Sequence, residues 1–333
     1  MTTVSATEIV AADIGGTHAR FALASVAGGR VRSMGDVVTL RAAEHASLQM
    51  AWAAFGDTLD RPLPRAAGIA VATPIIGDVL KMTNNPWIIR PALIPEKLGL
   101  DRYSLINDFA AVAHAVAQVG DDELRHLCGP DRPLPETGVV SVIGPGTGLG
   151  VAHLLRTHGS YHVVPTEGGH QDFAPLDVLE DAILIRLRAR YRRVSVERIC
   201  SGPGLANLYE SLAAIEGIAV LPHDTPAANK ALWAAAITGS DSLAAAALDR
   251  FCLSFGAVVG DIALAQGATA VVIGGGLGVR LADTLLHSGF AERFVAKGRF
   301  EAMMADIPVK LITHPEPGLY GAAAAFAAAN RDC

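Results

Sequence analysis

Three times along this chain a short apolar run ends in a cluster of glycines. Residues 9–13 (IVAAD) lead into Ile14-Gly15-Gly16-Thr17-His18, and residues 20–26 (RFALASV) resume the apolar pattern. Residues 139–143 (VVSVI) lead into Gly144-Pro145-Gly146-Thr147-Gly148, followed by residues 149–154 (LGVAHL). Residues 270–273 (AVVI) run into Gly274-Gly275-Gly276. Short apolar runs bounded by turn residues read as buried strands, and strand, glycine turn, strand reads as a hairpin. The first two copies share Gly-Thr at 16–17 and 146–147, an offset of 130 residues, with Ile143 in place of Asp13. This weak internal duplication agrees with the two domains that 333 residues suggest at about 100–200 residues each.

Between the glycine clusters the pattern is strand and helix by turns. Residues 47–55 read as a helix and residues 66–72 as another buried strand, followed by a polar loop, Thr83-Asn84-Asn85-Pro86-Trp87. Residues 103–106 read as a strand ended by Asn107-Asp108. Phe109, Val112, Ala113 and Val116 then recur at i, i+3, i+4 and i+7, an amphipathic helix that Gly120 is expected to close. The acidic run Asp121-Asp122-Glu123 marks a domain boundary.

Composition removes several classes. Hydrophobic residues are 51% and charged residues 18%, which excludes a disordered chain and leaves ample material for two cores. Lys plus Arg is 27 against 33 Asp plus Glu, a net charge of −6, the wrong sign for a nucleic-acid binder. The most apolar long stretch, residues 256–279, is interrupted by Asp261 and Gln266 and carries seven glycines, so no membrane span is expected. The first residues show no basic segment followed by an apolar one, hence no signal peptide. Cys128, Cys200, Cys252 and Cys333 have no C-x-x-C spacing, so they read as small buried hydrophobes in a reducing, cytoplasmic compartment.

Phosphate oxygens bind where several backbone N–H groups point one way and no Cβ blocks the approach. One glycine hairpin alone is as well explained as a tight turn; two facing hairpins from duplicated halves suit a polyphosphate clamp. No Gly-Lys pair occurs, so the P-loop is absent, and neither 144–150 nor 274–279 spaces its glycines as a dinucleotide fingerprint. Asp13 ends the first strand, where a carboxylate suits Mg²⁺, directly or through water, since that ion takes one or two carboxylates and keeps several waters. A turn-forming Asp is the plainer reading of the same residue.

Asn107-Asp108 stands where a strand gives way to a helix. Asp108 there is an N-cap, a general base at the carboxyl edge of a sheet, or both, because capping keeps the group ionised and aimed. Glu167-Gly168-Gly169-His170 sets an acid and an imidazole around two glycines, and Glu197 precedes Ser201-Gly202-Pro203-Gly204. Carboxylate, amide and imidazole match the donor and acceptor hydroxyls of a sugar. Taken singly, His170 reads as a satisfied core histidine and Glu197 as a helix-surface acid.

Together these motifs resemble the bacterial ATP-dependent glucokinases of the hexokinase-like group, in the superfamily of actin-like ATPase folds. Asp13-Ile-Gly-Gly-Thr17 looks like the first phosphate motif, Gly144-Pro-Gly-Thr-Gly148 the second, and Ile106-Asn-Asp-Phe109 the catalytic segment. Glu167-Gly-Gly-His170, the segment from Ser201 to Tyr209 and Gly274-Gly-Gly276 follow in family order, so the resemblance runs from about Ile9 to Gly321. It implies an α/β, two-domain actin-like ATPase (ribonuclease-H-like) fold with a cleft between the domains. The smaller domain is expected to be 1–120 plus the returning helix in 314–333, the larger 121–313, and sugar is expected to close them. The implied reaction is transfer of the γ-phosphoryl group of Mg-ATP to the glucose 6-hydroxyl, the first step of glycolysis. Asp108 is then the base. Asn107, Asp108, Glu167, His170 and Glu197 are the sugar ligands, Asp13, Gly15, Gly16, Thr17, Gly146, Thr147 and Gly275 the nucleotide side, and Asp13 the Mg²⁺ carboxylate. A homodimer is implied as well.

Position 18 departs from the group, with His where Asn is usual, and the Cys-rich zinc motif of the related repressor/kinase group is missing. Three rivals share some of the pattern. A kinase of fructose, mannose or an N-acetylhexosamine uses the same parts. A sugar-sensing repressor needs a DNA-binding module, for which a first strand starting at Ile9 leaves no room. An actin-like ATPase acting on a protein partner has no use for the polar constellation.

Overall fold

The computed structural model describes residues 6–82 and 85–331; Thr83, Asn84 and Cys333 of the segments discussed above lie outside the described residues, as do residues 1–5. In chain order the strands and helices begin with β1 (Thr7–Ile14), β2 (His18–Ala27), β3 (Arg30–Met34), β4 (Val38–Arg41), α1 (Leu48–Gly56), β5 (Ala66–Val71), β6 (Leu80–Met82), β7 (Asn85–Ile89), α2 (Ile94–Leu98), β8 (Arg102–Asn107) and α3 (Asp108–Val116). They continue with β9 (Leu124–Cys128), β10 (Gly138–Pro145), β11 (Leu149–Thr157), β12 (Ser160–Thr166), α4 (Val178–Tyr191), α5 (Gly204–Glu216), α6 (Pro226–Thr238) and α7 (Ser242–Gln266). The last are β13 (Ala268–Ile273), α8 (Gly275–Arg280), α9 (Ala282–His287), α10 (Phe290–Val295), α11 (Glu301–Ala305), β14 (Val309–Ile312) and α12 (Pro317–Ala329). They form two units, residues 1–120 with 314–333 and residues 121–313.

In the first unit the sheet order is β3-β2-β1-β5-β8, with β4 also pairing β2. The β1–β2 hairpin is antiparallel, while β1, β5 and β8 run parallel with Ile14, Val71 and Asn107 in register. Alternation along β1 explains why it is apolar throughout. Val10, Ala12 and Ile14 enter one core with Phe21, Trp52, Phe55 and Trp87, whereas Ile9 and Ala11 enter another with Leu319 and Phe326 of α12. A strand covered on both faces reads as a continuous apolar run. The Ala-rich α12 lies close on its neighbours, since a Cβ on Gly321 would overlap the Ala111 carbonyl of α3 and one on Gly68 the Ala322 carbonyl.

The second unit repeats the plan. Its sheet runs β12-β11-β10-β13-β14-β9, with an antiparallel β10–β11 hairpin and β10, β13 and β14 parallel. Three strands linked by hairpins followed by two parallel ones is the order of the first sheet too, so the 130-residue sequence offset has its counterpart in topology. The addition of β9, antiparallel to β14, is peculiar to this half. Helix α7 is long and apolar enough by composition to cross a membrane, yet 67% of its most apolar window is buried among α5, α6, α10 and the sheet. It serves as a core helix, and the apolar stretch 256–279 spans its last residues, β13 and most of α8. Cys200 and Cys252 are free and buried, and burial pushes the Cys252 thiol up to about 12, which leaves it inert at neutral pH.

Two local readings are corrected. Helix α3 ends at Val116, with Ala117 at its C-cap, so Gly120 does not close it. The polar loop read at 83–87 is, in its described part, the start of strand β7, from Asn85 to Trp87.

Candidate active site

The first unit gathers its polar residues at the carboxyl edge of the parallel strands. Asn107 and Ile14 are two strands apart in one register, about 10 Å at ordinary strand spacing. Asn107, and not Asp108, is the N-cap of α3: its Oδ1 accepts from the Phe109 N–H at 2.9 Å and the Ala110 N–H at 3.3 Å. Asp108 is the first helical residue, and its Oδ1 accepts the same Phe109 N–H at 2.8 Å. The positive end of the helix thus lies against the Asp108 carboxylate, and the hydrogen bond limits its rotation. Asn107 has its amide nitrogen 3.4 Å from the Thr73 carbonyl, to which it donates.

Asp13 lies close enough for Asp108 to act on its charge. Burial, then the Asp108 carboxylate, push the Asp13 carboxyl up to about 6, against the pull of Arg20, and Glu316 adds a smaller upward push. The Asp13 side chain is only 16% exposed. Gly15 N–H donates to the His18 carbonyl at 2.9 Å and closes the first hairpin, leaving Gly16 and Thr17 at its tip.

The second unit gathers its own candidate residues around Leu149, the first residue after the turn of the second hairpin. The Leu149 N–H donates to Glu197 Oε2 at 3.0 Å, and Gly169 packs so closely on the Leu149 carbonyl that a side chain there would overlap it. Gly146 accepts on its carbonyl from the Gly202 N–H at 2.7 Å. Gly275 follows β13 with φ +80°, a conformation open to glycine, and an added Cβ would lie 2.9 Å from the Pro145 carbonyl. Gly146, Thr147, Gly275, Glu197 and the 167–170 turn are therefore neighbours in one unit. His170 and Glu167 are exposed, with Nε2 and Oε2 4.0 Å apart, so His170 is no core histidine.

Several residues of these surroundings escaped the sequence reading. Asn85, 6% exposed, donates from Nδ2 to the Gly15 carbonyl at 3.1 Å and accepts the Trp87 N–H at 2.9 Å, bracing the first hairpin from behind. Arg20 links Asp13 to Glu316, and Arg193 donates to the His170 carbonyl at 2.6 Å while pairing with Asp172 at 2.7 Å. Alternation places Arg20 opposite Asp13 across the hairpin, a signal available in principle. Asn85 and Arg193 act across 70 and 23 residues and leave no local trace.

The donor set fits a divalent ion that brings ligands of its own. Asp13 is a poorly solvated carboxylate beside a second one, and Arg20, 3.6 Å away, is shared with Glu316. Among the described residues no group of three His, Cys, Asp or Glu is placed to hold a metal. One carboxylate supplemented by phosphate and water is the arrangement Mg²⁺ accepts.

Comparison with known proteins bears on these arrangements. The glucokinase family model matches residues 10–329. A glucokinase of Zymomonas mobilis subsp. mobilis is 65% identical over 320 residues, covering 96% of this chain and 98% of that one. A glucokinase of Marinobacter nauticus is 41% identical, covering 94% of this chain and 95% of that one. The crystal structure of a glucokinase from an Antarctic psychrotroph superposes with a TM-score of 0.82 at 36% identity, covering 96% and 98% of the two chains. The fold is the two-domain α/β fold of the actin-like ATPases. With a family model spanning both glycine hairpins and relatives aligned nearly end to end, the chain belongs to the glucokinase family.

Proposed function

We propose that Asp108 is the general base of this kinase, which transfers the γ-phosphoryl group of ATP to glucose. The carboxylate takes the proton of the 6-hydroxyl as that oxygen attacks phosphorus. A base in such a reaction contributes about 10²–10⁴-fold, and the rest comes from positioning and charge stabilisation. A strong base is not needed for that task, and the Phe109 N–H at the α3 N-terminus keeps the carboxylate aimed. This placement of Asp108, at the first turn of α3 and beside Asp13, is the observation that carries the reading.

The other roles follow the same reading. Asn107, Glu167, His170 and Glu197 bind sugar hydroxyls; Gly15, Gly16, Thr17, Gly146 and Thr147 present backbone N–H groups to phosphates; Gly275 lies on the nucleoside side. Asp13 holds Mg²⁺, directly or through water, and when bound the ion neutralises phosphate charge. A homodimer working in the cytoplasm completes the reading, and sedimentation of the purified protein tests the first part of it.

The experiment is ADP release with Mg-ATP across glucose, fructose, mannose, N-acetylglucosamine and no sugar, for wild type and Asp108→Ala. Glucose-dependent turnover that collapses in the variant supports the base. Turnover that survives the substitution removes Asp108 from that role, and preference for another sugar reassigns the hydroxyl ligands.

A further inference from the structure

The hydrogen bond from the Leu149 N–H to Glu197 Oε2 joins two parts of the second unit with separate tasks in the reading above. Residues 146–148 form the tip of the phosphate hairpin, and Glu197, on the short turn Val196–Arg198, is a sugar ligand. A Cβ on Gly148 would overlap Glu197 Oε2, so the absence of a side chain at 148 is what lets the carboxylate lie against the hairpin. The other arm of the turn is held by the Gly202 N–H, which donates to the Gly146 carbonyl at 2.7 Å. Glu197 is half-buried, and among the described residues its carboxylate is bonded through Oε2 and not through Oε1.

We propose that Glu197 is a positioning residue as well as a sugar ligand, and that it couples the two substrates. The inference rests on the reading of Glu197 as a glucose ligand and of Gly146 and Thr147 as phosphate contacts. A sugar hydroxyl donating to Oε1 holds at both oxygens a carboxylate that the Leu149 N–H alone holds at one. The fixed carboxylate holds the Leu149 N–H, and the strand end it belongs to sets the hairpin tip that receives the phosphates. Ordering carried out by the first ligand is not repeated by the second, so each binds more tightly in the presence of the other. Linkage makes the effect reciprocal: the factor by which glucose tightens nucleotide equals the factor by which nucleotide tightens glucose.

Binding measurements test this on the full chain. Calorimetry gives the Kd of AMPPNP with Mg²⁺, with and without saturating glucose, and the converse, for wild type, Glu197→Asp and Gly148→Ala. Glucose is expected to tighten AMPPNP about five-fold or more in the wild type, and both variants are expected to bring the ratio to within about two-fold of unity. The shorter Asp keeps the charge but cannot hold a sugar and the Leu149 N–H together, and the methyl added at 148 displaces the carboxylate. Because the coupling is a ratio, a direct loss of affinity for either substrate cancels, and coupling that runs by another route survives both substitutions.

Amide hydrogen exchange adds a readout that needs no variant: glucose alone is expected to slow exchange of residues 146–150 in the wild type. Unchanged exchange there, or a ratio equal to the wild type's in both variants, overturns the coupling. If glucose still binds in that case, the kinase reading stands without it. Failure of the wild type to bind glucose overturns both.

Discussion

Asp13 and Arg20 face each other across the first hairpin, their side chains 3.6 Å apart, and Glu316 holds the same guanidinium at 3.1 Å. One cation is divided between two carboxylates, with Asp108 near as a third charge. Burial of Asp13, with its charge only partly compensated, therefore has a cost in stability.

A carboxyl whose pKa is about 6 in the folded chain and 3.8 as a free group carries a penalty that is fully present above pH 6. The penalty disappears as pH falls from about 6 to 3.8. Asp13→Asn is expected to stabilise the protein at pH 8 by about 2–3 kcal/mol at most, while turnover falls steeply. Urea unfolding at pH 8 and pH 4 in the absence of Mg²⁺ checks this; a variant less stable than wild type at pH 8 contradicts it.

His114 works in the opposite sense. Burial holds its imidazole down to about 4 from 6.5, so the folded chain resists a proton that the unfolded chain accepts. Stability contributed by the neutral ring is complete above pH 6.5 and is lost as pH falls towards 4, by about 3 kcal/mol at most. His114→Gln should flatten the fall in urea midpoint between those limits, and an unaltered slope would remove His114 from the account.

Asn107 separates helix capping from sugar binding. Asn107→Ala should cost about 1 kcal/mol of stability through the lost cap and raise KM for glucose. Asn107→Ser restores an N-cap acceptor, so its stability should return while KM for glucose stays high. Recovery of both in the Ser variant would mean that Asn107 acts on the sugar only through the helix.

Asn85 gives a test of the first hairpin. Replacing it by Ala leaves the half-buried Gly15 carbonyl and the buried Trp87 N–H without their side-chain partner, a loss of about 1–3 kcal/mol. We expect KM for ATP to rise several-fold more than KM for glucose. A larger effect on glucose would place Asn85 on the sugar side instead.

What the sequence disclosed followed from periodicity and from residues set close along the chain. Both hairpins, the strand before Asn107 and the 167–170 turn stand out because a few neighbouring residues encode them. Assigning the cap to Asn107 over Asp108 required the backbone angle at one residue, with φ −67° and ψ 149° at Asn107. Gly120 misled because the helix had already ended on Ala117, whose N–H finds the Ala113 carbonyl at 3.1 Å without any glycine. The contacts of Asn85 with Gly15 and of Glu197 with Leu149 join residues 70 and 48 apart, and nothing in local composition announces them. Resemblance to the family suggested the roles proposed above; packing alone supplied the braces.

The return of α12 to the first unit also has a consequence for how the chain is made. Residues 121–313 are contiguous and can fold as soon as they have left the ribosome. The first 120 residues emerge earlier, but one face of their sheet, with Ile9, Ala11 and Ala24, has no cover until Leu319 and Phe326 arrive. Synthesis therefore leaves an apolar surface waiting through nearly two hundred further residues, an interval in which the unfinished first unit is open to aggregation.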